Sequence, residues 1–145
     1  MELFLDTANL DEIRQAVRMG VISGVTTNPS LAAKEGIGQL GVYQQQVQEI
    51  ARMVNGPISA EVVSTDYEGM LLEAREIATW APNVVAKIPS TMTGFEAIAT
   101  LSREGIKINQ TLCFSVNQAI LGARAGSSFV SPFVGRLDDE GHDGM

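Results

Sequence analysis

Short apolar runs recur along the chain, with amphipathic segments between them. The runs start at residues 3, 24, 58, 84, 106 and 129, which places successive starts 21 to 34 residues apart. A hairpin protein would repeat faster, whereas a βα unit needs room for a strand, a helix and two loops. The pattern predicts six strands: Leu3–Leu5, Gly24–Thr26, Ile58–Val63, Val84–Ile88, Ile106–Leu112 and Phe129–Val130.

The intervening segments predict helices. Between residues 66 and 79, apolar side chains return at about 3.6-residue spacing. Asn9 or Asp11 can cap the first helix, and the step from Phe114 to Ser115 marks another helix start. The longest gap opens with a glycine-interrupted stretch, which predicts a loop, and continues as a helix over 42–54.

Alternating strands and helices predict an α/β protein with a parallel sheet, within a single domain over 1–145. Six units are visible, and 145 residues are too few for the eight units of a complete (β/α)8 TIM barrel. On length alone, an open doubly wound sheet is the safer interpretation. Polar residues nevertheless recur at the end of every predicted strand, which is typical of a barrel, because an open sheet gathers its ligands at one switch point.

Composition and charge exclude several classes of function. The chain has 10 basic and 17 acidic residues, and this balance disfavours nucleic-acid binding, which requires a basic face. One cysteine, Cys113, and one histidine, His142, leave no pattern for a disulfide or a metal cluster. No apolar run has the length of a membrane span, and the first residues do not resemble a signal peptide. We therefore expect a cytoplasmic protein without a metal and without membrane or nucleic-acid partners.

Lys87 is the sharpest chemical signal, because it interrupts the apolar strand that leads to Pro89. Desolvation favours the neutral form of an amine, and a neutral amine attacks a carbonyl group to form a Schiff base. The alternative is structural: the lysine stem lies along the sheet and the ammonium reaches water at the strand end.

Two carboxylates, Asp6 and Glu61, are expected at the same end of the sheet, where they could transfer protons in Schiff-base chemistry. Asp6 could equally begin a turn, and Glu61 could be a structural charge. Asn109 and Thr111 share one face of their strand by alternation.

Other polar residues have ordinary structural interpretations beside the functional ones. Asn28 precedes a proline, which is typical of a turn and leaves substrate binding as the alternative. Arg136 lies in a stretch predicted to be irregular, where an arginine either binds phosphate or is a solvated charge. No glycine-rich nucleotide-binding loop is present.

Five motifs in order along the chain together resemble the transaldolase family, in particular its short bacterial and archaeal branch. They are Leu5-Asp6-Thr7-Ala8, Gly24-Val25-Thr26-Thr27-Asn28-Pro29, Val85-Ala86-Lys87-Ile88-Pro89, Asn109-Gln110-Thr111 and Ser131-Pro132-Phe133-Val134-Gly135-Arg136. The resemblance implies a (β/α)8 barrel and a cofactor-free Schiff-base transaldolase of the pentose phosphate pathway, usually a homo-oligomer. Such an enzyme moves a dihydroxyacetone unit from sedoheptulose 7-phosphate to glyceraldehyde 3-phosphate.

The resemblance also implies roles for individual residues. Lys87 would form the Schiff base, Asp6 would be the acid and base in carbon–carbon cleavage, and Glu61 with Thr111 would activate water. The substrate-binding residues would be Asn28, Asn109 and Ser131 for hydroxyl groups, Phe133 beside them, and Arg136 for the phosphate.

The fructose 6-phosphate aldolases resemble this sequence almost as closely. That group tends to carry glutamine at the position of Glu61 and tyrosine at that of Phe133, so these two residues favour transaldolase.

The sequence departs from the family in length. The resemblance places two more strands, a C-terminal helix and a second phosphate-binding arginine after the position of Met145. We therefore expect about six of the eight units, two unpaired sheet edges and a tendency to aggregate. A non-catalytic fragment of such an enzyme is the competing hypothesis.

Overall fold

The computed structural model describes residues 1–36 and 40–144. Each predicted strand is present within these ranges. The strands are β1 (Phe4–Asp6), β2 (Gly24–Thr26), β3 (Ile58–Glu61), β4 (Val84–Pro89), β5 (Ile108–Cys113) and β6 (Phe129–Pro132). The helices are α1 (Leu10–Met19), α2 (Pro29–Lys34), α3 (Leu40–Met53), α4 (Tyr67–Ile77), α5 (Met92–Arg103), α6 (Val116–Ala125) and α7 (Val134–Asp139).

Side-chain caps determine where several helices begin. Asn9, rather than Asp11, caps α1, because its Oδ1 accepts hydrogen bonds from the amides of Asp11 and Glu12. Asp66 caps α4 and Ser115 caps α6, so both helices start where the sequence predicted.

The segment between β2 and β3 differs from the prediction. Of the predicted loop, residues 37–39 lie outside the described residues, and α3 already begins at Leu40. Helix α2 was not predicted, because Asn28-Pro29 was interpreted as a turn. The same pair also starts a helix well: Pro29 has a favourable φ for the first turn, and Asn28 Oδ1 accepts from the amide of Leu31 at 2.9 Å.

All six strands are parallel and pair in chain order, β1-β2-β3-β4-β5-β6. The sheet curls: the ring centroids of Phe4 on the first strand and Phe129 on the last lie only 6.0 Å apart, which a flat six-stranded sheet would not allow. The result is an incomplete TIM barrel with helices outside. This curl excludes the open doubly wound sheet that length alone favoured.

The core lies between the outer face of the sheet and the helices. Val25, Ile58, Ala86 and Ile108 on the strands pack there against helical residues such as Ile50. The opposite face of the sheet lines the barrel interior, where polar side chains such as those of Lys87, Asn109 and Ser131 lie. No helix among the described residues combines the length and apolar character needed to cross a membrane.

Candidate active site

A cavity of about 810 Å³ opens at the carboxyl ends of the strands. It brings together seven of the nine residues predicted for the site: Asp6, Asn28, Lys87, Asn109, Ser131, Phe133 and Arg136. Glu61 joins them through a direct contact with Lys87, whereas Thr111 does not line the cavity.

Lys87 and Glu61 form a buried ion pair. They are paired in register on β4 and β3, and the Lys87 Nζ lies 3.2 Å from Glu61 Oε2. The Lys87 side chain is 3% exposed and that of Glu61 16% exposed. A lysine buried to this extent needs a partner, since an unpaired charge is costly to desolvate. The alternative in which the ammonium reaches bulk water at the strand end therefore does not hold.

Glu61 is shifted electrostatically towards its neutral form. Burial raises the pKa of its carboxyl group, while Lys87 lowers it and the nearby charge of Asp6 raises it again. A raised pKa brings a carboxyl group closer to the pH range in which it can both accept and return a proton.

Asp6 is the last residue of β1 and is more open to solvent than Glu61. Its Oδ1 accepts a hydrogen bond of 2.7 Å from the hydroxyl of Thr26, its register partner on β2. This bond orients the carboxylate, which lines the cavity, so Asp6 does more than begin a turn.

Asn109 lies at the level of Lys87 on the next strand and is buried at the centre of a polar chain. Its Nδ2 donates to Ser59 Oγ at 2.9 Å, and its Oδ1 accepts from Ser131 Oγ at 2.9 Å. The Asn109 amide is thereby held in one orientation beside Lys87. Asn109 and Ser131 line the cavity, whereas Ser59 does not.

Thr111 is fully buried on β5, where it pairs in register with Pro89. Its hydroxyl has no hydrogen-bond partner among the described residues, and its carbonyl accepts from the amide and hydroxyl of Ser90. The next residue, Leu112, has φ of 51°, and the β5–β6 register shifts between Gln110 and Cys113. Thr111 is therefore held firmly next to the site, without access to the cavity.

Arg136 lies in helix α7, so the prediction of an irregular stretch was wrong. The helix follows Phe133 directly, and the amide of Phe133 donates to the carbonyl of Cys113. The Arg136 side chain is 74% exposed at the cavity, 3.8 Å from the Asp139 carboxylate. The Phe133 ring packs edge-on against Phe114, with centroids 5.4 Å apart.

Three further residues hold the predicted ones in place; Thr26 was predicted only as a polar residue at the end of its strand, and Ser59 and Tyr43 were not predicted. Thr26 binds Asp6, Ser59 binds Asn109, and the hydroxyl of Tyr43 accepts from the backbone amide of Glu61 at 3.4 Å. Ser59 could have been found as a polar residue two positions before Glu61 in a buried strand, and thus on the same face. Tyr43 could not, because it comes from a helix and contacts backbone.

No group of three metal-ligating side chains occurs among residues 1–36 and 40–144. The cavity is lined by the amine of Lys87, the carboxyl group of Asp6 and neutral hydrogen-bonding side chains, with the charged side chains of Lys34, Arg136 and Asp139 also present. Glu61 contacts the Lys87 amine from outside the lining.

Comparisons with known proteins agree with this architecture. A solved orotidine 5'-phosphate decarboxylase from Thermotoga maritima superposes with a TM-score of 0.55 at 19% identity, covering 97% of this chain and 74% of that one. Similarity at that identity shows the fold alone.

Curated sequences are much more similar. A probable transaldolase of Heliobacterium modesticaldum is 63% identical over 145 residues, and one of Dehalococcoides mccartyi is 60% identical over 146. Each comparison covers 100% of this chain and 66% of the relative, so the chain spans about two thirds of the length of these relatives. A family model described as Transaldolase/Fructose-6-phosphate aldolase matches residues 3–145. The chain therefore belongs to the transaldolase and fructose-6-phosphate aldolase family.

Proposed function

We propose that this chain carries the Schiff-base centre of a transaldolase, which transfers a dihydroxyacetone unit from sedoheptulose 7-phosphate to glyceraldehyde 3-phosphate in the pentose phosphate pathway. The observation that carries the proposal is the buried Lys87, which lines the cavity and has Glu61 at 3.2 Å. The names of the relatives support the same reaction type.

In this mechanism the Lys87 amine attacks the C2 carbonyl of the donor sugar, and the resulting carbinolamine loses water to give an iminium ion. Glu61 accepts and returns the protons of these water steps; the resemblance gives Thr111 on β5 a share in activating the water. The raised pKa of Glu61 suits this exchange, and the Lys87–Glu61 contact places acceptor and amine together.

Carbon–carbon cleavage follows when Asp6 removes the proton of the C4 hydroxyl. The C3–C4 bond breaks, an aldose leaves, and the electron pair of that bond moves into the iminium to form an enamine. The enamine then attacks the acceptor aldehyde, Asp6 returns the proton, and hydrolysis frees Lys87.

The remaining cavity residues would bind the substrate. Asn28, Asn109 and Ser131 would bind hydroxyl groups of the dihydroxyacetone unit, and Phe133 would bound the site. The exposed Arg136 would bind the phosphate of the sugar. No cofactor takes part in this scheme.

Trapping tests the proposal on the chain as it is. The protein is reduced with borohydride in the presence of fructose 6-phosphate, digested and mapped by mass spectrometry. We expect a reduced dihydroxyacetone adduct on the peptide that contains Lys87 and none on those of Lys34 or Lys107, the other lysines. Lys87→Met should abolish the adduct, while Lys107→Met, at an exposed position outside the cavity, should retain it.

An adduct on a different lysine, or none on the folded wild-type chain, would overturn the assignment. Release of free dihydroxyacetone without an aldehyde acceptor, at a rate equal to transfer, would indicate the fructose 6-phosphate aldolase reaction instead. It would also refute the interpretation of Glu61 and Phe133 as transaldolase residues.

A further inference from the structure

Two buried polar side chains of helix α3 (Leu40–Met53), those of Tyr43 and Gln46, contact the chain at the strand ends that bear the carboxylates of the site. Tyr43 and Gln46 lie three positions apart and so share one face of the helix. Neither residue lines the cavity, and neither was predicted from the sequence. Each side chain forms a hydrogen bond with the backbone: Tyr43 with β3 and Gln46 with the segment after β1.

The Tyr43 hydroxyl accepts a hydrogen bond from a β3 amide that lies beyond the paired residues of β2. The register of β2 with β3 ends at Thr26 and Ser59, so the amide of Glu61 lies two residues past the last pair. That amide instead donates to the Tyr43 hydroxyl at 3.4 Å. The Tyr43 ring is held edge-on against Trp80, with centroids 5.8 Å apart, so the hydroxyl has a defined place.

Gln46 acts in the same way on the segment after β1. Its Nε2 donates to the carbonyl of Ala8 at 2.5 Å, and Ala8 is two residues beyond Asp6. Gln46 and Ala8 are 38 positions apart in sequence, and both are buried. The bond therefore fixes the course of the chain as it leaves the strand that ends in Asp6.

The helix itself is anchored away from the site. Arg14 of α1 is 2.7 Å from the Glu49 carboxylate, and Gln48 donates to the carbonyl of Trp80 at 3.2 Å. The Asn83 amide donates to the carbonyls of Ala51, Val54 and Gly56 around the end of the helix. A helix that is held at several points moves little, so the side chains it carries can fix the position of the strand ends.

We propose that α3 positions both carboxylates of the site, with Tyr43 acting on Glu61 through its amide and Gln46 acting on Asp6 through the carbonyl of Ala8. Tyr43 and Gln46 are positioning residues, since neither reaches the cavity. The inference rests on the proposed function, because it assigns this geometry a role in proton transfer by Glu61 and Asp6.

The test uses two variants, each with a matched control. Tyr43→Phe removes only the hydroxyl, and Tyr67→Phe makes the same change where the hydroxyl bonds Thr100 between α4 and α5. Gln46→Met removes the amide donor, and Gln45→Met makes the same change at the preceding, exposed position of the helix. Urea unfolding of all four variants establishes conditions in which each is folded.

The first measurement does not depend on activity. We expect Tyr43→Phe to accelerate hydrogen exchange at the Glu61 amide about fivefold, as for the loss of one hydrogen bond, and to move the midpoint of the Glu61 carboxyl titration in ¹³C NMR. Tyr67→Phe should change neither. Equal behaviour of the two variants would overturn the role of Tyr43, whether or not the wild-type chain forms an adduct.

The second measurement is the rate of adduct formation as a function of fructose 6-phosphate concentration. We expect Tyr43→Phe and Gln46→Met to lower the maximal rate about tenfold at an unchanged half-saturating concentration, because misplaced catalytic groups slow the reaction more than they weaken binding. The inference is supported if the two control variants form the adduct at the wild-type rate. A fall in rate that merely follows the folded fraction would contradict it, and absence of any wild-type adduct would refute the proposed function separately.

Discussion

At the scale of single residues, the pairing of Lys87 with Glu61 decides the electrostatics of the site. Each charge is desolvated by the barrel, and each is tolerated because the other lies 3.2 Å away. Lys87 opposes the rise in the pKa of Glu61 that burial causes. Removal of either partner should therefore alter the stability of the protein, and removal of Lys87 should also alter the titration of Glu61.

Lys87→Met should destabilise the protein by about 2 kcal/mol near neutral pH, since it leaves a buried carboxylate without its partner. The penalty should shrink as the pH falls. Without Lys87 the pKa of folded Glu61 lies further above its unfolded value, so acid protonates the folded state first and removes the unpaired charge. Urea unfolding at several pH values measures this dependence.

The double variant Lys87→Met/Glu61→Gln is the control for the origin of that loss. It has neither charge of the buried pair, so it should recover part of the lost stability at neutral pH and show less pH dependence. A loss in Lys87→Met that is independent of pH would show that packing, and not the unpaired charge, is responsible.

The rate of adduct formation should depend on pH through Glu61. Only the carboxylate accepts a proton, so the rate should fall as the pH is lowered through the pKa of Glu61, which burial raises above 4.5. The acid limb of the pH–rate profile should accordingly lie above the usual range for glutamate. Glu61→Gln should lose that limb; if it keeps the limb, another group is the base.

At the scale of elements, the close contact between α5 and the end of β4 holds the strand of Lys87. A Cβ atom at Gly94 would lie 2.0 Å from the carbonyl oxygen of Pro89, which is backbone and cannot rotate away. The first turn of α5, capped by Thr91, thus approaches the strand end directly. The position of this helix is coupled to that of Lys87, which lies two residues before Pro89.

Gly94→Ala should lower the free energy of unfolding by about 1 to 3 kcal/mol, because helix and strand must separate. It should also slow adduct formation by displacing the strand end. The control is Gly41→Ala in α3, outside the cavity, where no described atom lies within 4 Å of the added methyl group. That variant should be neutral or slightly more stable, since alanine is the better helix former; similar losses in both variants would refute the contact argument.

At the scale of the whole molecule, the sheet is curled but open. Among the described residues, β1 pairs only with β2 and β6 only with β5, so two strand edges lack partners. Next to the unpaired edge of β6, the side chains of Val116 and Ile120 on α6 are exposed and lie about one helical turn apart. Unpaired edges and exposed apolar side chains promote association.

We expect the weight-average mass in sedimentation velocity to rise above the 15.5 kDa of the chain as its concentration increases. Ile120→Lys should reduce this association without unfolding the protein, because the side chain is 55% exposed. Leu72→Lys is the control, since Leu72 is 66% exposed on α4 and the variant has the same net charge. Equal association of the two variants would exclude the face of α6.

The sequence predicted the strands well because each is apolar and bounded by turns, and because polar residues such as Asp6 and Lys87 stand at or near their ends. It missed α2, where Asn28-Pro29 suits both a turn and a helix start. It also placed Arg136 in an irregular stretch, whereas the residue lies in helix α7. Local preferences cannot separate such alternatives, since the neighbouring chain decides which hydrogen bonds are available.

By itself, the sequence determined the succession of strands and helices in a parallel α/β barrel, the family, and seven of the residues that line the cavity. Periodicity and motif spacing are local properties, and they can be read along the chain without knowledge of its packing. Only the tertiary structure decided that Glu61 pairs with Lys87, and that Tyr43 and Gln46 hold the carboxylate-bearing strand ends. Those features depend on contacts between residues far apart in sequence, whose distances follow from the packing of the helices on the sheet.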